Sequence, residues 1–208
     1  HGVDKFTLET FRGSHCILDT NILMFIALES RYKDAFVAIE KVFSDLDITC
    51  QILKITQKEY ENKIEYQRNI TLHNLEKYGY DIMSLANDDF TRAALAMHCD
   101  DEQDFERFFD VSLSIPTYLH DRVPINILDD NMGMLEAIEE ASYDDNLKNE
   151  LSESFKRVAK REKSKSALCH DAGMIGGVTF LRKDDATKEK KYFILSEEIS
   201  VNQYSKSH

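Results

Sequence analysis

Two prolines and seven glycines in 208 residues leave little material for linkers, so one domain over residues 1–208 is expected. That length is enough to bury a core of its own. No apolar run approaches the length of a membrane span, and no signal-peptide pattern is visible. Cysteine is scarce. Cys16, Cys50, Cys99 and Cys169 stand far apart, with no Cys-x-x-Cys pair to suggest zinc. Cys16, Cys50 and Cys169 sit in apolar stretches, as small core residues in a reducing cytoplasm do. No glycine-rich phosphate loop, Ser-His-Asp order or Cys-His pairing stands out. The chain opens on His1-Gly2 without an initiator methionine, which is compatible with a longer natural protein.

What is present is charge, and it is unevenly spread. The net charge of −12 argues at first against a nucleic-acid partner. Between Asp81 and Glu153, however, lie 19 acidic and four basic residues, while the rest of the chain carries 22 basic and 19 acidic. The acidity belongs to one region, and the flanking sequence is mildly basic.

The periodicity alternates strands with helices. His15-Cys16-Ile17-Leu18 reads as a buried strand running into Asp19-Thr20-Asn21, with a helix over 22–31 and another over 34–43. Residues 48–55 are β-branched and apolar and predict a second strand. Thr56-Gln57-Lys58-Glu59 matches a capping box, opening a helix that runs to about Tyr78 and stops at Gly79. Helices follow over 88–98 and 102–110. Residues 112–130, holding both prolines, look irregular or briefly extended. Helices over 132–142, 145–162 and 167–181 come next, the last bearing Gly173, Gly176 and Gly177, which suggest a close helix–sheet contact. A strand over 191–196 ends at Glu197-Glu198. This order predicts a three-layer α/β/α domain around a mostly parallel sheet, with an acidic helical insertion at about 80–165.

Acidic residues recur at comparable structural points. Asp19 follows the first strand, Glu197 and Glu198 follow the last, and Asp171 lies near the start of the glycine-bearing helix. Glu59 or Glu61 sits one turn into the helix after the second strand. Asp19 is also a good helix cap, which is its simplest structural role. If the strands are parallel neighbours, these acids face one end of the sheet, where α/β proteins place their chemistry. Carboxylates so close repel one another. A hard divalent cation offsets that repulsion, and oxygen-only ligands favour Mg²⁺ or Mn²⁺.

The pieces Ile17-Leu18-Asp19-Thr20-Asn21, Ile55-Thr56, His170-Asp171-Ala172 and Phe193-Ile194-Leu195-Ser196-Glu197-Glu198 resemble the PIN-domain nuclease family. The resemblance covers roughly residues 14–67 and 166–203. It implies an acidic quartet that binds magnesium or manganese and hydrolyses phosphodiesters, in RNA more often than DNA. By position Asp19 matches the first acid and Asp171 the third. Asn21 matches the polar residue that supports the first, and Ser196-x-Glu198 the family's ending with Glu in place of Asp. Because the capping box claims Glu59, Glu61 is the expected second acid. The implied metal ligands are therefore Asp19, Glu61, Asp171 and Glu198. A non-cutting relative that only binds is the alternative.

Lys156, Arg157, Lys160, Arg161, Lys163 and Lys165 form a basic run just before Asp171. It is either a solvated helix end or a phosphate track for nucleic acid, with Lys156, Lys160, Arg161, Lys163 and Lys165 as its contacts. The acidic insertion reads as a solvated face, or as a surface for a protein partner or a second copy of the chain. His170-Asp171 also suggests the HD-type metal phosphohydrolases. That class needs further metal histidines, and it leaves Asp19 and the strands unexplained.

Overall fold

Residues His15–Leu18 form β1, whose last three residues are fully buried. The computed structural model describes residues 8–28, 40–83, 88–114, 125–128, 131–184, 186–187 and 189–196. Among them β1 is joined by β2 (Thr49–Leu53), β3 (Ile125–Leu128) and β4 (Tyr192–Leu195). The strands lie in the order β3-β2-β1-β4, all parallel. Cys16 stands opposite Cys50 on one side and Phe193 on the other.

Alternation along β1 divides the core between the two faces of the sheet. Cys16 and Leu18 join a cluster with Leu23, Tyr60, Ile64, Phe105 and Phe109. Ile17, one residue out of phase, joins Leu53, Met134, Ile138, Met174 and Val178. This is the period-2 geometry of a strand buried on both faces.

The helices follow from capping and apolar spacing. Asp19 caps α1 (Thr20–Ala27), which buries Ile22, Leu23 and Ile26. Next, α2 (Lys54–Tyr78) buries Thr56, Tyr60, Ile64 and Thr71, one stripe on an otherwise polar helix. It stops at Gly79, whose φ of 75° ends the helix as expected. The single turn α3 (Tyr80–Met83) leads to α4 (Asp89–Ala96) and α5 (Glu102–Leu113), each opened by an aspartate cap. After β3 come α6 (Met132–Tyr143), α7 (Asp145–Ala159) and α8 (Lys165–Lys183). No helix among the described residues is long and apolar enough to cross a membrane.

Several expectations need revision. Residues 40–45 are helical, but 34–39 lie outside the described residues, as do 29–31. β2 ends two residues early, so the following helix starts at Lys54 and Thr56 falls inside its first turn. The helix has no side-chain cap, and the expected capping box does not form. The proline-bearing stretch is briefly extended, as one of its two expected forms, and contributes β3, which pairs with β2 from Cys50↔Ile125 to Leu53↔Leu128. The expected insertion thus supplies a sheet strand, and α6 packs tightly on α8. A Cβ at Gly176 would lie 2.5 Å from the Ala137 carbonyl oxygen of α6. Gly173 meets Ser142 and Ile138, and only Gly177 also touches the sheet, at Leu53. The glycines therefore mainly serve a close helix–helix contact.

Candidate metal centre at the carboxyl edge of the sheet

Asp19 leaves β1 in extended conformation and turns its carboxylate back over the helix it starts. Oδ1 accepts from the Thr20 backbone N–H at 2.6 Å. Oδ2 accepts a short hydrogen bond from the Ser196 hydroxyl, just past β4. The Asp19 N–H bonds the Leu195 carbonyl at 3.0 Å, so the ends of β1 and β4 are tied together. Asn21 Nδ2 donates to Ser196 Oγ at 3.2 Å. Asn21 thus supports Asp19 through Ser196. Capping and a place at the candidate site coexist in one residue.

α2 contributes Glu59. Its Oε2 accepts from Thr20 Oγ1 at 2.5 Å and lies 3.1 Å from His170 Nδ1. The other carboxylate oxygen is 3.1 Å from Lys63 Nζ. Glu61, the expected second acid, is instead bonded by Gln57 Nε2 at 2.8 Å, along its own helix. The helical period explains the exchange. With the helix starting at Lys54, the face bearing Thr56, Tyr60 and Ile64 is buried and places Glu59 at its rim. Two residues further on, Glu61 has rotated away.

α8 contributes His170 and Asp171, both buried. His170 Nδ1 is 4.0 Å from Asp19 Oδ1 and 3.7 Å from Asp171 Oδ1. His170 Nε2 lies 3.4 Å from the hydroxyls of Thr20 and Thr56. Asp171 Oδ2 is held at 2.6 Å by Lys163 Nζ, and both side chains are at most 7% exposed. Burial raises the Asp19 pKa, and Asp171 pushes the same way. Ser196, His170 and the Thr20 N–H draw it back down.

Ligand atoms of Asp19, Glu59 and His170 all lie within 4.8 Å of one another. This donor set can take a divalent cation, but it is not the all-oxygen set expected. An imidazole replaces one carboxylate, and Asp171 turns one oxygen to a lysine. Such mixed N/O ligands suit Mn²⁺ better than Mg²⁺. Glu198 and Glu197 lie outside the described residues. The structure brings Glu59, His170, Thr20 and Ser196 to Asp19; Ser196 already stood in the strand-end motif. Glu59 was in view as the alternative to Glu61, and the His-Asp pair marked His170. Thr20 stood in the Asp19-Thr20-Asn21 motif without a role of its own.

The basic run divides. Lys163 points inward to Asp171, which removes it from any phosphate track. Lys156 pairs with Glu162 at 3.0 Å, and the Arg161 guanidinium lies 5.6 Å from the Phe155 ring centre. Lys160 is exposed in a left-handed turn with φ 52°, and Lys165 opens α8. Compared with known protein families, curated proteins and solved structures, the chain matches none.

Proposed function

We propose that the protein is a manganese- or magnesium-dependent nuclease of the PIN kind, hydrolysing phosphodiester bonds in RNA. The observation that carries this reading is the position of Asp19 beside Glu59 and His170. Asp19 follows the central strand where the chain goes to β2 on one side and β4 on the other. In parallel sheets that reversal opens a crevice at the carboxyl ends of the strands, and ligands bind there. The parallel order with helices on both faces supports a three-layer PIN-like domain.

In this proposal Asp19, Glu59 and His170 hold the cation, with Asp171 adjoining. Glu198, two residues past Ser196, enters as a sequence position. A divalent ion there supplies an activated water and neutralises phosphate charge. The chain's own residues do the orienting. Ser196 and Asn21 fix the Asp19 carboxylate, and Thr20 fixes Glu59. Lys156, Lys160, Arg161 and Lys165 flank the entrance to α8 and guide the backbone. Four cysteines without disulfides fit a reducing cytoplasm.

The test is Mn²⁺ binding by calorimetry together with cleavage of single-stranded RNA and DNA oligonucleotides. The proposal expects manganese-dependent cleavage of RNA that is lost in Asp19→Asn and Glu59→Gln. No binding and no cleavage by the folded protein would overturn it. One observation favours the second reading, a non-cutting binding module. Lys163 already gives Asp171 the positive charge that a metal would bring.

A further inference from the structure

Five residues, 160–164, connect α7 to α8, and four of them are exposed. Lys163 is the exception: its side chain turns inward and is 7% exposed. Its ammonium reaches Asp171 Oδ2 at 2.6 Å, and the Asp171 side chain is 4% exposed. The other oxygen of that carboxylate lies 3.7 Å from His170 Nδ1, the nitrogen that also faces Glu59 and Asp19. Lys163 is therefore bound to the acid that adjoins the candidate metal ligands, on the side away from the imidazole.

We infer that Lys163 is a resident counter-ion which a divalent cation must displace from Asp171. The inference rests on the metal-centre reading above. A cation held by Asp19, Glu59 and His170 sits beside the Asp171 carboxylate, whose Oδ1 is 3.7 Å from the same His170 Nδ1. It and the ammonium therefore repel across one buried acid and compete. Lysine suits such a part because its charge is compact and its stem is flexible. The connection that carries it is otherwise solvated, so withdrawal strips little core packing. In the same position the ammonium also lies 5.5 Å from the Phe155 ring centre, a weaker contact that withdrawal gives up. Without metal, Lys163 balances the charge of a buried carboxylate; with metal, it leaves.

The experiment uses the full chain and MnCl₂. Calorimetric titration compares the wild type with Lys163→Met, which keeps the stem and removes the charge. The variant is expected to bind Mn²⁺ at least tenfold more tightly. In the wild type, acetylation by an N-hydroxysuccinimide ester, read by mass spectrometry, follows the lysine itself. Lys163 is expected to be protected without metal and modified at saturating Mn²⁺. Unchanged or weaker affinity in folded Lys163→Met, or equal protection of Lys163 with and without metal, overturns the displacement. If Lys163→Met does not fold, because the buried Asp171 loses its lysine, the labelling result decides alone. Failure of the two ideas is distinguishable. Mn²⁺ binding that Asp19→Asn abolishes, with Lys163 still protected, sinks the displacement and leaves the metal centre. No Mn²⁺ binding by wild type or variant sinks both.

Discussion

The Glu59 carboxylate and the His170 imidazole meet at 3.1 Å, Oε2 to Nδ1, and join the helix after β2 to the helix before β4. Asp19 stands 4.0 Å from the same nitrogen. Three segments distant in sequence therefore converge on one ring. Its hydrogen bonds to Thr20 and Thr56 place each donor relative to the others.

That convergence separates two neighbouring glutamates. Glu59→Gln is expected to weaken Mn²⁺ binding by about tenfold or more, the scale seen when groups that orient a metal site are lost. Glu61→Gln leaves a partly exposed side chain beside Gln57 and is expected to change stability by less than about 0.5 kcal/mol. Calorimetry and thermal melts of both variants check this. Equal metal affinity for the two would show that the meeting with His170 has no bearing on binding.

Asp19→Asn is expected to raise apo stability at pH 7 by about 1 kcal/mol, the usual scale for relieving such a site. The raised pKa means that the folded chain holds the Asp19 proton more tightly than the unfolded chain. Its stabilising effect is thus complete below the ordinary carboxylate pKa and is lost as pH rises through the folded value. Asparagine keeps an acceptor for the Thr20 N–H and a neutral partner for Ser196. Melts without metal should show a gain of about 2–4 °C at pH 7. The gain should shrink in acid, and a lower melting temperature at pH 7 would refute the argument.

His15 supplies the opposite sign. Burial lowers its pKa and Lys190 adds to the effect, while Gln51 opposes both. Its neutral ring stacks on Tyr192 with centroids 5.0 Å apart. A depressed folded pKa means that stability is intact above about pH 6.5 and is lost as pH falls through the folded value. His15→Phe keeps the stacking and cannot titrate. Its denaturation midpoint is expected to fall less between pH 7 and 5 than that of the wild type. Parallel pH profiles would exclude His15 as the titrating group.

Gly176→Ala is expected to cost about 1–3 kcal/mol, as overpacking commonly does. A methyl group there meets the Ala137 carbonyl at 2.5 Å, a backbone atom that cannot swing aside. Alanine is the better helix former by about 1 kcal/mol, so stabilisation would show that α6 moves away freely. Urea denaturation of the variant measures which effect wins.

The sequence by itself determined the elements whose signals are local. The apolar run of β1, the capping aspartate at its end and the stop at Gly79 depend on residues a few positions apart, and they stand where the pattern placed them. Asp19 and Ser196 also emerged, because strand ends are legible wherever an apolar run meets polar residues. Tertiary structure decided what depends on rotation and partners. A start at Lys54 turns Thr56 and Glu59 toward α1 and α8, and carries Glu61 out of the site by the helical period. β3, four residues long at the sheet edge, gains its identity only from hydrogen bonding to β2. Lys163 looked like one more solvated charge in a basic run. Only the connection between α7 and α8 brings its ammonium to Asp171, because a buried carboxylate has to be matched by a charge from somewhere in the fold.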